Sequence, residues 1–555
     1  MSELNPTPKF WRAPVGFGLG ALVLAIAIAT TDFNPLWSIP AMAVVFMTFR
    51  GTASALHRRS YLRQLSRKVD RVPLAGLTPE GRGMRLTDVY IDVAVKPAEG
   101  PDSSERPFIG TGFWPDRRPP FLTALCRRRS APIVIVGEPG SGKTTVLRRT
   151  VLELTRHHRL PILIDLPSLS GTEPPDLPQL VRDSYWLTRR PPDGWLRRQL
   201  TAGHCVVMLD GLDELASEHD RQRVADWIEA QRQNYPKNSF VITTRPDGLT
   251  PGPLPDAEFW QLRHLTDSQI ASFLHDWCET VEKRKSGHNR HWARDEGAAE
   301  AGVLLSRLRA KPVLHQLAAH PLPLTLIALV HRHCGFLPDD RQALYNDAAA
   351  LLVNGHADSV HRLAGQLMEA RTTRLSSRDI TAIAPQLDPR ELIAEGSAAG
   401  WLTRTPDGRH AFTHLSLQQF FADRDIREAD ILTKIDDPWW RDAILLWSRR
   451  SNVSRVIESC LASGSITALA LAYDAAETCG ELDPGLLAEL RELLSLATKT
   501  PTENRLVGAA KVARELSVMT PLFAGARIAL RPISNSIDSS FLEAEVPAGR
   551  PPPNA

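Results

Sequence analysis

The sequence predicts a multi-domain α/β protein: a parallel-sheet core around a phosphate-binding loop, an apolar helical hairpin before it and an α-helical C-terminal region after it. Three observations predict this. Residues 133–144, IVIVGEPGSGKT, are a β-branched run that breaks into a Gly-rich turn and continues as a helical pattern. Two later apolar runs, CVVMLDGLDE at 205–214 and SFVITTRP at 239–246, end in charged residues, as buried parallel strands do at a site. The N-terminal region carries two uncharged stretches, 14–31 and 35–49.

The first element is the most informative. A strand running through a tight turn into a helix aims backbone N–H groups and a helix N-terminus at one point, where polyphosphate charge is stabilised. Gly137, Glu138, Pro139, Gly140, Ser141, Gly142, Lys143, Thr144 and Thr145 make that loop. Lys143 is expected on the β- and γ-phosphates and the Thr144 hydroxyl on a Mg²⁺, so ATP or ADP with Mg²⁺ are the implied ligands. The 205–214 run suits a parallel strand beside the first. Asp210 at its end would hold the Mg²⁺ through water, and Asp213 or Glu214 would orient the attacking water. The third run ends in Arg245, which would report on the γ-phosphate from the edge of the site. Alone, each charge reads as a solvated loop residue; three strands converging on one phosphate site change that weighting.

GEPGSGKTT, VVMLDGLDEL and FVITTRP in this order resemble the NACHT group of STAND-type P-loop NTPases, relatives of animal Nod-like receptors that also occur in bacteria. The paired acidic signature Asp210-Gly211-Leu212-Asp213-Glu214 separates that family from motor ATPases and kinases. The resemblance continues through LRHLTDSQIASFLHDW (262–277), the start of a helical lobe, and AAHPLPLTLIALVH (318–331), its adenine-contacting segment, where Pro321 takes the matching place. LPDDRQALYNDAAALLV (337–353) and FTHLSLQQFFADR (412–424) look like the rest of the helical and winged-helix lobes, with His414 at the position that touches the β-phosphate of ADP. On local sequence alone Pro321 reads as a helix breaker and His414 as a satisfied buried histidine. The resemblance implies a slow ATPase used as a switch: ADP locks the lobes against the core, and exchange for ATP frees them to self-associate in response to an unknown trigger. It also implies a signalling role in bacterial antiphage defence. A different class of reading is a constitutive membrane-bound remodelling ATPase or scaffold. Tightly held ADP with slow turnover favours the switch.

At the N-terminus, 14–31 and 35–49 approach the minimum of about 17 residues that spans a bilayer as a helix. Separated by TDFN, they read as a transmembrane hairpin contacting lipid through residues 14–49. Lys9 and Arg12 precede the pair, and Arg50, Arg58, Arg59, Arg63, Arg67, Lys68 and Arg71 follow it. By the positive-inside rule both flanks face the cytoplasm. The expected location is the cell membrane, multi-pass with two helices, the ATPase domain being cytoplasmic. The basic cluster at 50–71 reads as an orientation signal and a contact for anionic lipid.

The net charge of +3 is too small to imply nucleic-acid binding as a global property, and no clear nucleic-acid site stands out. Six cysteines, at 126, 205, 278, 334, 460 and 479, have no C-x-x-C spacing and suit free buried thiols. The chain divides into 1–50, the hairpin; 51–130, a juxtamembrane basic helix and approach segment containing one strand-like alternation at 86–97; 131–260, the NTPase core; 261–355, the helical domain; 356–430, the winged helix; 431–525, a helical C-terminal region; and 526–555, a short stub and disordered tail.

Overall fold

The computed structural model describes residues 38–72, 84–89, 95–97, 121 and 125, and 131–499 with short interruptions, the longest at 246–256. The core is a six-stranded sheet of β1 (Val95–Pro97), β2 (Ile133–Val136), β3 (Leu160–Asp165), β4 (Cys205–Asp210), β5 (Ser239–Thr244) and β6 (Glu258–Leu262), in the order β1-β6-β2-β5-β4-β3. All neighbours are parallel except β1 with β6. β4 and β5 are buried at every position, which is why their sequences run apolar without alternation. The expected neighbour relation is corrected here. β4 does not lie beside β2, because β5 is inserted between them. The 86–97 alternation is also not one strand: Leu86–Val89 is a helical turn, and among its described residues Val95–Pro97 join the sheet.

Helix α1 (Ser38–Val69) changes the reading of the N-terminal region. Tyr61, Leu65 and Val69, at i, i+4 and i+8, form a buried stripe facing the core. The helix covers the free edge of β3 and the chain entering it. Arg58 Nη2 donates to His157 O (2.5 Å) and Arg159 O (3.3 Å), and Tyr61 Oη to Pro161 O (3.1 Å). Alternate carbonyls that would face solvent at a sheet edge are thereby satisfied. The expected multi-pass membrane location is overturned. No helix among the described residues is long and apolar enough to cross a membrane. From Ser38 on, the 35–49 apolar segment does not end as one arm of a hairpin but continues within α1, through the basic residues, onto the NTPase core. The 14–31 segment lies outside the described residues, as do the stub and tail at 526–555.

Beyond the sheet the chain is mostly helical. α2 (Lys143–Leu154) follows the phosphate loop, and α3 (Glu218–Asn234), capped by Ser217 Oγ accepting from Asp220 N, follows β4. Following the sheet are α4 (Asp267–Lys285), α5 (Arg290–Arg309), α6 (Pro321–Cys334) and α7 (Arg341–Val353). Next come α8 (Ala357–Glu369), a three-stranded antiparallel sheet of β7 (Arg374–Leu375), β8 (Leu402–Arg404) and β9 (His410–Phe412), and α9 (Leu415–Ala422). Helices α10 (Arg441–Ser448), α11 (Val453–Ser463), α12 (Ile466–Thr478) and α13 (Pro484–Lys499) form the C-terminal region. Cys205, Cys278, Cys334 and Cys460 are free, and all but Cys334 are buried.

Candidate nucleotide-binding site

The phosphate loop is built where β2 ends. Gly140 and Gly142 hold φ of 72° and 96°, in the left-handed region that a side chain disfavours, and this lets the chain turn directly into α2. Gly137 N donates to Thr244 O (3.2 Å), tying the loop's first residue to β5. A Cβ on Gly142 would stand 3.3 Å from Pro321 Cγ, and Leu322 N donates to Gly140 O (3.3 Å). The first turn of α6 therefore sits directly on the loop, which places Pro321 beside the residues the sequence assigns to phosphate. Glu138 and Pro139 lie outside the described residues.

Lys143 Nζ donates to Gly137 O at 2.6 Å. Burial lowers the Lys143 pKa and Arg245 adds to this, against the charges of Asp213, Glu214 and Asp210. Thr144 and Thr145 follow in the first turn of α2, half-buried. Asp210, 8% exposed, ends β4 and accepts from Thr243 Oγ1 at 2.6 Å; that oxygen in turn accepts from Gly211 N at 2.8 Å. Gly211, with φ of 83°, turns the chain so that Asp213 and Glu214 follow on a short 3₁₀ turn. Burial foremost, then the charges of Asp213 and Asp210, push Glu214 up to about 8.

Arg245 is 9% exposed and bridges two carboxylates. Its Nε stands 2.8 Å from Asp213 Oδ2, and its Nη1 donates to Asp442 Oδ2 at 2.8 Å. The Asp213 contact is an ion pair without hydrogen-bond alignment, since neither Asp213 oxygen accepts a hydrogen bond among the described residues. His414 lies two residues past β9, half-buried. Burial, with the charge of Arg148 on α2, lowers it to about 4, so it is neutral at neutral pH.

The residues fit a Mg²⁺-nucleotide. Thr144 carries its hydroxyl into the first turn of α2 and Asp210 ends β4 with a carboxylate, and a hydroxyl plus a carboxylate is the donor set of a hard cation, while buried Ser141 Oγ in the loop lacks a hydrogen-bond partner among the described residues. Thr144 and Asp210 would hold the metal, which when bound neutralises phosphate charge. Lys143 and the loop amides would bind the phosphates, and Asp213 or Glu214 would orient the attacking water.

Residues 131–280 match the family model of the NACHT domain. This stretch of the chain is a NACHT domain. The match runs past the expected boundary at 260 and takes in β6 and most of α4. The chain is similar in fold to a variant of RuvB from Thermotoga maritima, with 15% identity over 50% of this chain and 84% of that one at a TM-score of 0.21. It is likewise similar to the ORC1 protein of Aeropyrum pernix in complex with DNA, with 15% identity over 55% and 90% at a TM-score of 0.26. No match was found among curated proteins.

The NACHT site contains residues that sequence reasoning missed. Asp165 ends β3 in register with Asp210 and is pushed up to about 6 by burial and by Asp210, against Lys68, Arg148 and Arg374. Its signal was present, since LPILID has the same form as CVVMLD. Thr243, which holds Asp210, stands within the run already read as a strand. Asp442 had no signal.

Proposed function

We propose that the chain is a nucleotide-controlled switch: its NACHT core binds ADP or ATP with Mg²⁺, hydrolyses ATP slowly, and uses the nucleotide to set whether the lobes stay on the core or are free to self-associate. One observation carries this reading: three elements from outside the core sit on it at or near the phosphate site. The α6 turn bonds Gly140 O, Asp442 bonds Arg245, and Arg374 Nη2 of β7 donates to Pro167 O at 2.9 Å. A change at the phosphates is therefore felt by the lobes directly, and a ligand that prefers one arrangement shifts its population. The test is nucleotide content and turnover. The purified protein should carry ADP, release it slowly, and change its oligomeric state with a non-hydrolysable ATP analogue. Protein that purifies empty and turns over rapidly would instead be a remodelling ATPase. The proposed output is defence signalling, which predicts protection of expressing cells against phage that is lost in Lys143→Ala.

A further inference from the structure

Asp442 belongs to α10, beyond the winged helix, yet its carboxylate lies in the NACHT site on Arg245. The two side chains are 11% and 10% exposed, so this is a buried ion pair 197 residues apart in sequence. The segment that carries Asp442 is strapped to the winged helix. Gln419 Nε2 donates to Trp439 O (3.1 Å), Trp439 Nε1 donates to Met368 O (3.0 Å), and Arg371 pairs with Asp437. Asp442 therefore moves with that lobe. Arg245 already carries two carboxylates, Asp213 and Asp442, with buried Asp210 at the end of β4 nearby. A terminal phosphate brought to Arg245 would be a third anion on a guanidinium that Asp213 and Asp442 already share, and the added repulsion in a buried site falls on the carboxylate whose segment can leave.

Building on the switch reading above, we propose that Asp442 is a positioning residue that competes with the terminal phosphate for Arg245, so that α10 reads whether the γ position is filled. With ADP, Asp442 keeps Arg245 and the lobe stays docked. With ATP, the phosphate takes Arg245 and Asp442 is released.

The experiment measures the affinities of ADP and of a non-hydrolysable ATP analogue on the full chain. Asp442→Asn keeps the shape but removes the charge, and it should raise analogue affinity relative to ADP by about tenfold, a coupling of ordinary size. Asp442→Glu should return the ratio toward wild type. Arg441→Gln breaks the adjacent pair with Asp474 and leaves the Arg245–Asp442 pair its charges, and it should leave the ratio unchanged. An unchanged ratio in Asp442→Asn, or an equal shift in Arg441→Gln, overturns the proposal. If Asp442→Asn does not fold, wild-type protein decides: amides of 441–448 should exchange hydrogen faster with the analogue than with ADP, and equal exchange overturns it. Wild type that binds neither nucleotide would refute the switch reading itself, a result distinct from binding with an unchanged ratio.

Discussion

Tyr61→Ala tests whether α1 is part of the NTPase core. Tyr61 is 1% exposed, its ring centroid lies 5.7 Å from that of Trp186 and 6.1 Å from that of Trp195, and its hydroxyl satisfies Pro161 O on the edge strand. Truncating a buried aromatic costs about 3–5 kcal/mol. The orphaned carbonyl adds little to this, because water can enter the space the ring leaves. If α1 opens as a unit, its opening free energy falls by about that amount, which at about 1.4 kcal/mol per decade is roughly a hundredfold or more in the open population. The assay is tryptic cleavage at Arg59, Arg63 and Arg67, exposed residues on the face opposite the buried stripe. Helical backbone must open before it is cut, so cleavage should accelerate by about the same factor. Tyr61→Phe keeps the ring and should show a smaller loss, about 1–3 kcal/mol if Pro161 O stays dry. Cleavage in Tyr61→Ala within twofold of wild type would refute the docking of α1 on β3.

Three further outcomes are expected. Lys143→Ala should weaken nucleotide binding by at least about a hundredfold, near 2.7 kcal/mol for a charge-assisted contact, with the fold retained; unchanged affinity in calorimetry would sink the assignment. Gly142→Ala forces a side chain into φ of 96° with its Cβ 3.3 Å from Pro321 Cγ, so stability should fall by about 1–2 kcal/mol or more in urea unfolding. Glu214→Gln should keep binding and lose hydrolysis, and it should also change the pH dependence of nucleotide-free stability. Glu214 is held at about 8 against an ordinary 4.5, so the folded state keeps a proton that the unfolded chain releases. That contribution is whole below about 4.5 and is lost as pH rises toward 8. The variant's Tm should therefore rise relative to wild type across this window, and a variant Tm that falls relative to wild type with rising pH would contradict the assigned burial.

The strands of the NACHT core were legible because a strand buried on both faces must be apolar throughout, and 133–136, 205–210 and 239–244 have no other reading of comparable length. Their lateral order was not legible, because pairing is decided by crossovers and packing that no local pattern records, and so β5 came between two strands expected to be neighbours. The site divides in the same way. Lys143, Asp210 and Arg245 sit at strand and loop ends and announce themselves, whereas Asp442 reaches the site from 197 residues away and looks like an ordinary helix residue. The basic segment failed for a different reason. The positive-inside rule counts charges along the chain, but docking depends on which face of a helix carries them. In α1 the charges of Arg59, Arg63 and Arg67 occupy one stripe and Tyr61, Leu65 and Val69 the other. The same four-residue spacing that collects positive charge on the solvent side collects the apolar residues on the side that packs against β3, so the charge run and the buried face are two aspects of one amphipathic helix.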